Sequence, residues 1–418
     1  MPKGNVQDHQ LVQSSMTLRV MALAAVMGLL AAACSGGDPP AQPPTATSSP
    51  NVAQGVEPTD PAVDTQTAAP AEATSSVPPE IDVTFHSVPL EEVYFDTFDG
   101  GSVPLSASTP ELRLRLLDAI PPIDDPMYGD ASSGDWLTLD DLVLGYVGGG
   151  QAYAYPFKIM NYHEIVNDEI AGVPVLVSYC PLCRSAIVYD RRAGGETLSF
   201  GNTSALYESD LVMVDRDTGS YWWQVAGMAI VGPLTGTELQ PLPSEVSTWA
   251  DWKARHPSTL VLTRDTGHQR PYERDVFAGY SAVVDSGRFA FPVGEAAMDE
   301  RLPASALVVG VVGDGVVRAY AVDGLDGPIN DVVGDVAIVV FPSEGGATVF
   351  SAMLDGELQR FVGGDVGLLD VATESTWTQD GAAIAGAYEG AQLEPVPSRT
   401  TFWFAFVGAF PDVEVYSG

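Results

Sequence analysis

Basic residues are scarce in this chain. Nineteen Lys and Arg stand against 55 Asp and Glu, for a formal net charge of −36. A surface of that sign repels a phosphate backbone, which excludes nucleic acid as a partner, and it is not drawn to anionic lipid headgroups. Its ordinary consequence is a solvated acidic surface. Cysteine is scarcer still, at three residues, so no disulfide framework is available to hold a fold together. The HExxH zinc signature is absent, because Asn167 stands four residues after His163. No apolar run reaches membrane-spanning length. The longest, "VMALAAVMGLLAAA" (20–33), has the length of a signal-peptide core.

What is present begins with that run. Arg19 precedes it and Cys34 follows it, in "LLAAACSGGD". The pattern resembles a bacterial lipoprotein cleavage box. It predicts a signal peptide over 1–33, lipid on Cys34, and an extracytoplasmic protein anchored through that lipid to the bacterial cell membrane. Residues 34–80 are rich in Pro, Ala, Thr and Ser and lack Lys and Arg. They cannot bury enough apolar surface to offset the entropy of ordering, so they are expected to form a flexible tether.

The rest of the chain repeats itself. Residues 223–261 align without gaps on 377–415, with thirteen of 39 positions identical. The matches fall on structural punctuation: Gly227, Gly232 and Gly236 on Gly381, Gly386 and Gly390, Trp223 on Trp377, Trp249 on Trp403. Two homologous domains are expected, 81–285 and 286–418. Each is rich in short β-branched runs such as "VPVLVSY" and "SAIVYD". The segment "STWADWKARHP" reads as a helix capped by Thr248 and Asp251 and stopped by Pro257; its counterpart "TFWFAFVGAFP" is apolar all round and predicts a buried helix. The fold class is therefore α+β and strand-rich, with the second repeat lacking the reactive side chains of the first.

Those side chains lie in two segments. "VSYCPLCRSAIVYD" carries Cys180 and Cys183, close enough to form a small disulfide ring or to share a metal. A strand follows the pair, not the helix that lowers a thiol pKa in thioredoxin-like folds. Arg184 is a candidate for the missing positive charge. "PFKIMNYHEIVND" carries His163, a candidate base, acid or ligand, and Glu164. Asn167 and Asp168 recur as Asn330 and Asp331 and are expected in turns or caps. Asp210, Met213, Trp222, Trp223 and Gln224 lie nearby in "ESDLVMVDRDTGSYWWQ"; Trp223 and Met213 read as core, His256 as a helix-end cation, and His268 as a loop residue.

From about Leu112 to Tyr416 the chain resembles an exported bacterial family known as domain of unknown function 3179. The likeness rests on "AYPFKIMNYHEIVND", "VSYCPLCRSAIVYDRR", "ESDLVMVDRDTGSYWWQ", "IVGPLTGTELQPLPSEVSTWADWKARHP" and "TFWFAFVGAFPDVEVY". Some members of that family carry selenocysteine within the motif matched by Cys180 to Cys183, which implies redox chemistry there. The resemblance assigns no reaction. Three readings follow. In the first, Cys180 and Cys183 cycle between dithiol and disulfide with His163 assisting proton transfer, served by a redox partner protein. In the second, Cys180, Cys183, His163 and Glu164 bind copper or zinc, with a metal-delivery partner. In the third, the chain is a scaffold and the cysteines are a structural staple.

Overall fold

A computed structural model describes residues 78–364 and 367–418. The expected signal peptide, Cys34 and nearly all of the tether lie outside the described residues. Strands dominate and helices are few and short, an α+β architecture. Among the described residues, no helix is long and apolar enough to cross a membrane.

The chain enters through a hairpin of β1 (Tyr94–Asp96) and β2 (Ser102–Pro104). Among the strands that follow up to residue 262 are β3 (Leu142–Gly148), β4 (Gln151–Pro156), β5 (Ile165–Ile170), β6 (Val173–Cys180), β7 (Ser185–Asp190), β8 (Phe200–Tyr207), β9 (Asp210–Asp215), β10 (Tyr221–Trp223), β11 (Met228–Val231), β12 (Ser244–Thr248) and β13 (Leu260–Leu262). Past residue 306 come β14 (Leu307–Gly313), β15 (Val316–Ala321), β16 (Ile329–Val333), β17 (Val336–Ser343), β18 (Gly346–Ser351), β19 (Phe361–Gly364), β20 (Gly367–Asp370), β21 (Thr376–Trp377), β22 (Ala383–Ala385), β23 (Arg399–Phe402) and β24 (Glu414–Val415).

Pairing follows one order in both stretches. Strands run β12-β3-β4-β13 in the first and β23-β14-β15-β24 in the second; β5-β6-β7 matches β16-β17-β18, and β8-β9-β10-β11 matches β19-β20-β21-β22. In each, the last strand of the first group lies parallel to its neighbour while the others are antiparallel. The stretches are stitched together, because β23 pairs with β7 and puts strands from both into one sheet.

The local expectations hold where they rest on side-chain chemistry. Thr248 caps the helix Trp249–Arg255 by accepting from the Asp251 amide at 3.3 Å. The helix Trp403–Ala409 buries Trp403, Phe404, Ala405, Phe406 and Val407. His256 ends its helix beside Asp380, at 3.3 Å. Asn167 and Asp168 lie within β5, and Asn330 and Asp331 within β16, not in the turns or caps expected of them, and both Asn side chains bridge between strands. Asn167 exchanges hydrogen bonds with the Phe200 backbone and Asn330 with that of Phe361. One pairing differs from expectation. Trp222, not Trp223, makes the bond that Trp377 makes: Trp222 donates to Asp215 Oδ2 at 2.8 Å and Trp377 to Asp370 Oδ2 at 3.2 Å. Both stretches carry the same register shift, Tyr221/Trp222 and Thr376/Trp377, 155 residues apart, whereas Gly227 and Gly381 are 154 apart, and an ungapped alignment misses that one-residue change.

The hairpin β6–β7 is almost wholly buried, as its near-continuous apolar sequence requires. One face packs on the six-stranded sheet β11-β10-β9-β8-β1-β2, in a core that joins Leu176, Ile187 and Tyr189 to Val212, Met213 and Trp222. Cys180 and Cys183 sit in that same interface.

Candidate functional site

The CPLC segment is the turn of this hairpin. Cys180 ends β6 and pairs with Ser185, which starts β7. Four residues must reverse the chain, and one of them needs a left-handed backbone. No glycine is available, so Arg184 takes φ +51°. Its guanidinium lies over the Phe402 ring, 5.9 Å from the centroid. The expected pairing of Arg184 with the thiols is thus replaced by stacking on β23. That strand also holds the turn directly, since the Cys183 carbonyl accepts from Phe402 N at 2.8 Å and Thr401 Oγ1 at 3.0 Å.

Both thiols are free and buried: Cys180 is 2 % exposed and Cys183 0 %. The Cys183 thiol donates to Asp210 Oδ1 at 2.7 Å. Asp210 opens β9 on the facing sheet, and its Oδ2 accepts from the Val225 amide at 2.8 Å. Ser185 Oγ lies 3.1 Å from the Cys183 sulfur and donates to Gln224 Oε1. Gln224 Nε2 donates onward to Ser178 Oγ at 2.9 Å, and Ser178 Oγ to the Ile187 carbonyl at 3.0 Å. Every member of this network is fully buried, so each depends on the others for its hydrogen bonds. Ligand atoms of Cys180, Cys183 and Asp210 all lie within 4.8 Å of one another.

Burial sets the protonation states. It pushes Cys180 up and Cys183 well above the ordinary thiol range, so both are neutral dithiol groups at pH 7. It raises Asp210 to about 6, with the Cys183 thiol and the Val225 amide favouring the charged form. Asp210 is therefore mainly a carboxylate at neutral pH. It is a base hydrogen-bonded to a thiol.

A second buried acid stands on the other side of Cys180. Glu164 takes φ +61° in the turn before β5, and its Oε2 accepts from Asn202 Nδ2 at 2.8 Å. Burial raises it to about 8, opposed by the Asn202 hydrogen bond, so Glu164 is mainly protonated at pH 7. Glu164, Asn202, Ser204, Asp96 and Cys180 form the polar wall of a cavity of about 20 Å³, closed by Phe98, Leu182 and Leu211 among others. Ser204, at φ +58°, is strained like Glu164, and left-handed non-glycine residues of this kind collect at functional sites.

His163 is not part of this arrangement, and the expectation that its imidazole assists or ligates beside the thiols is corrected here. Its Nδ1 lies 2.8 Å from the Pro121 carbonyl and its Nε2 2.7 Å from the Tyr272 hydroxyl. A carbonyl only accepts, so Nδ1 carries the proton and Nε2 accepts from Tyr272. Both ring nitrogens are occupied. Burial lowers His163 to about 4, which makes it a neutral structural residue. Glu164, its neighbour in sequence, points the other way, toward Asn202 and Cys180. Asp210 and Gln224 carry the roles that the sequence did not assign. Trp223 and Met213 are core residues, and exposed His268 stacks near His163, 5.6 Å between rings.

The fold and site define a strand-rich α+β protein with a buried Cys–Cys–Asp cluster at the interface of a hairpin and a sheet. The chain belongs to the family described as "Protein of unknown function (DUF3179)", which matches residues 117–413. No curated protein and no solved structure matches it.

Proposed function

We propose that Cys180 and Cys183 form a thiol–disulfide redox centre in which Asp210 takes the proton of the inner thiol. The observation that carries this reading is the 2.7 Å hydrogen bond from Cys183 Sγ to Asp210 Oδ1 in a dry interior. A neutral thiol is a poor nucleophile, and an adjacent base supplies the thiolate when it is needed. Oxidation removes two protons and two electrons and closes the Cys180–Cys183 bond. Cys180, on the cavity wall, is the sulfur that meets the oxidant; Cys183, with no cavity contact, resolves it.

The same three side chains suit zinc or copper(I) by type. The spacing speaks against a resident ion. Bonds of about 2.3 Å to sulfur and 2.1 Å to oxygen at a tetrahedral angle separate the two ligand atoms by about 3.6 Å. The 2.7 Å observed is far closer than two ligand atoms of one ion would sit. A pure staple, in turn, has no use for a carboxylate against one thiol.

The two strand-order series support a duplicated unit, with boundaries near 81–285 and 286–418. The second unit buttresses the CPLC turn through Thr401 and Phe402. Export, lipid on Cys34 and a membrane-tethered position complete the reading, supported by the sequence 19–37 alone. The test is redox equilibration of the full chain in dithiothreitol buffers, then alkylation and peptide mapping. A Cys180–Cys183 disulfide that forms and reopens within about −300 to −120 mV is expected. Thiols that stay alkylatable throughout would sink the reading.

A further inference from the structure

The cavity beside Cys180 has properties that reversible disulfide formation does not require. Its volume of about 20 Å³ has room for one water-sized group. A peptide disulfide cannot enter it without the walls parting. The polar groups on its wall are mostly committed to one another. Asn202 donates to Glu164 and accepts from the Ser204 amide at 2.7 Å, and Ser204 Oγ donates to the Leu116 carbonyl at 2.7 Å. Asp96 is the exception. It is 5 % exposed, its Oδ1 accepts from Phe98 N at 2.8 Å, and its Oδ2 has no partner. A buried carboxyl oxygen with no partner is costly to hold in place and marks a position where a polar guest belongs.

A small chamber with a thiol, a carboxylic acid and an unpaired carboxyl oxygen on its walls fits a particular oxidant class. We infer that the thiol pair is oxidised by a small hydroperoxide, hydrogen peroxide being the simplest, whose reacting oxygen enters the cavity lined by Cys180, Glu164 and Asp96. This deepens the redox reading and rests on it. Cys183 passes its thiol proton to the Asp210 carboxylate and takes that of Cys180, within whose reach it lies, and the Cys180 sulfur attacks the nearer peroxide oxygen. The S–O bond forms as the O–O bond breaks. The leaving oxygen takes the Glu164 proton and departs as water. Sulfur loses two electrons, the peroxide gains them, and Cys180 becomes a sulfenic acid. Exchange with water then restores the proton on Glu164 and removes the one on Asp210. In the second step Cys183 gives its proton to Asp210 and attacks the sulfenic sulfur. The hydroxyl leaves as water with the Glu164 proton, and the disulfide closes. The sum is two thiols and one peroxide giving one disulfide and two waters.

The experiment measures the oxidation rate of the reduced full chain by hydrogen peroxide and by bulky cumene hydroperoxide, with peptide mapping of the products. Hydrogen peroxide is expected to give the Cys180–Cys183 disulfide faster than it oxidises free cysteine, with cumene hydroperoxide slower by about tenfold or more, the scale of steric exclusion from a closed pocket. Cys183→Ser is expected to stop at a sulfenic acid on Cys180, trapped with dimedone. Glu164→Gln is expected to slow peroxide oxidation by about 100-fold, the lower end of general acid catalysis. Equal rates for the two peroxides, a rate no faster than free cysteine, or sulfenic acid on Cys183 would each overturn the inference. If the disulfide still forms in dithiothreitol buffers, that failure leaves the redox centre standing; if it does not, both fall. The peroxide comparison uses the unaltered protein and does not depend on any variant folding.

Discussion

Replacing Asp210 with Asn keeps the shape of the side chain and removes its charge. The stability of the fold should lose its dependence on the ionisation of this group, and thiol chemistry should suffer. Burial holds Asp210 at about 6, against an ordinary 3.8. At 1.36 kcal/mol for each pKa unit, ionised Asp210 costs the folded state about 3 kcal/mol. The sign follows from proton counts. Between the two pKa values the folded protein binds more protons than the unfolded chain, so stability is greatest below about 4 and falls as pH rises through 6. Asn carries no such penalty. Asp210→Asn is therefore expected to be about 2–3 kcal/mol more favourable, relative to wild type, at pH 8 than at pH 4, on top of a pH-independent loss of about 1–3 kcal/mol because its amide nitrogen must face the Cys183 thiol or the Val225 amide. Urea unfolding of the reduced protein, followed by tryptophan fluorescence at both pH values, measures this. Oxidation of the thiols in the same variant should slow by about 100-fold or more at pH 7, because the base beside Cys183 is gone. A variant that loses stability equally at both pH values, or one that oxidises at the wild-type rate, would refute the assignment of Asp210 as a buried charged base.

Four further outcomes follow from the same geometry. His163→Ala leaves the Pro121 carbonyl and the Tyr272 hydroxyl without a partner and should cost about 2–5 kcal/mol by thermal unfolding, while the Cys180–Cys183 redox equilibrium stays where it was. Because burial lowers His163 to about 4, its contribution of about 3 kcal/mol is present above pH 6.5 and lost as pH falls toward 4, so an acid-unfolding titration of His163→Phe should show a shallower limb in that range. Thr401→Val removes the hydroxyl bond to the Cys183 carbonyl and should cost about 1 kcal/mol in urea unfolding. Elemental analysis of purified protein should find zinc and copper well below one ion per chain; a full complement that disappears in Asp210→Asn would restore the metal reading.

The parts of this site legible in the sequence were those fixed by neighbours in the chain. A β-branched run on each side of Cys180 and Cys183 reads as a strand, and Thr248 three residues before Asp251 announces a helix start. The site itself is assembled from segments far apart. Asp96, Glu164, Cys180, Cys183, Asp210 and Gln224 meet only because β9 and its sheet pack across the hairpin, and no local pattern encodes that contact. The motif "ESDLVMVDRDTGSYWWQ" did hold Asp210 and Gln224, but an acidic residue at a strand start reads as surface until the facing element is known. His163 was misread for a related reason. In a turn, consecutive side chains diverge, and at φ +61° Glu164 turns inward to the cavity while the imidazole beside it is spent on Pro121 and Tyr272.

The energetics argue that this cluster is retained for chemistry and not for cohesion. Asp210 held at about 6 costs about 3 kcal/mol at pH 8. Glu164 held at about 8, against 4.5, costs about 3 kcal/mol already at pH 7, where the unfolded chain ionises and the folded one does not. Those two terms are comparable with the whole net stability of an ordinary domain, about 5–15 kcal/mol. A fold built only to hold its shape would do better with apolar residues at both positions. Their burial is intelligible if the same desolvation that costs stability sets one acid, at Cys183, to accept a proton and the other, beside Cys180, to donate one at neutral pH.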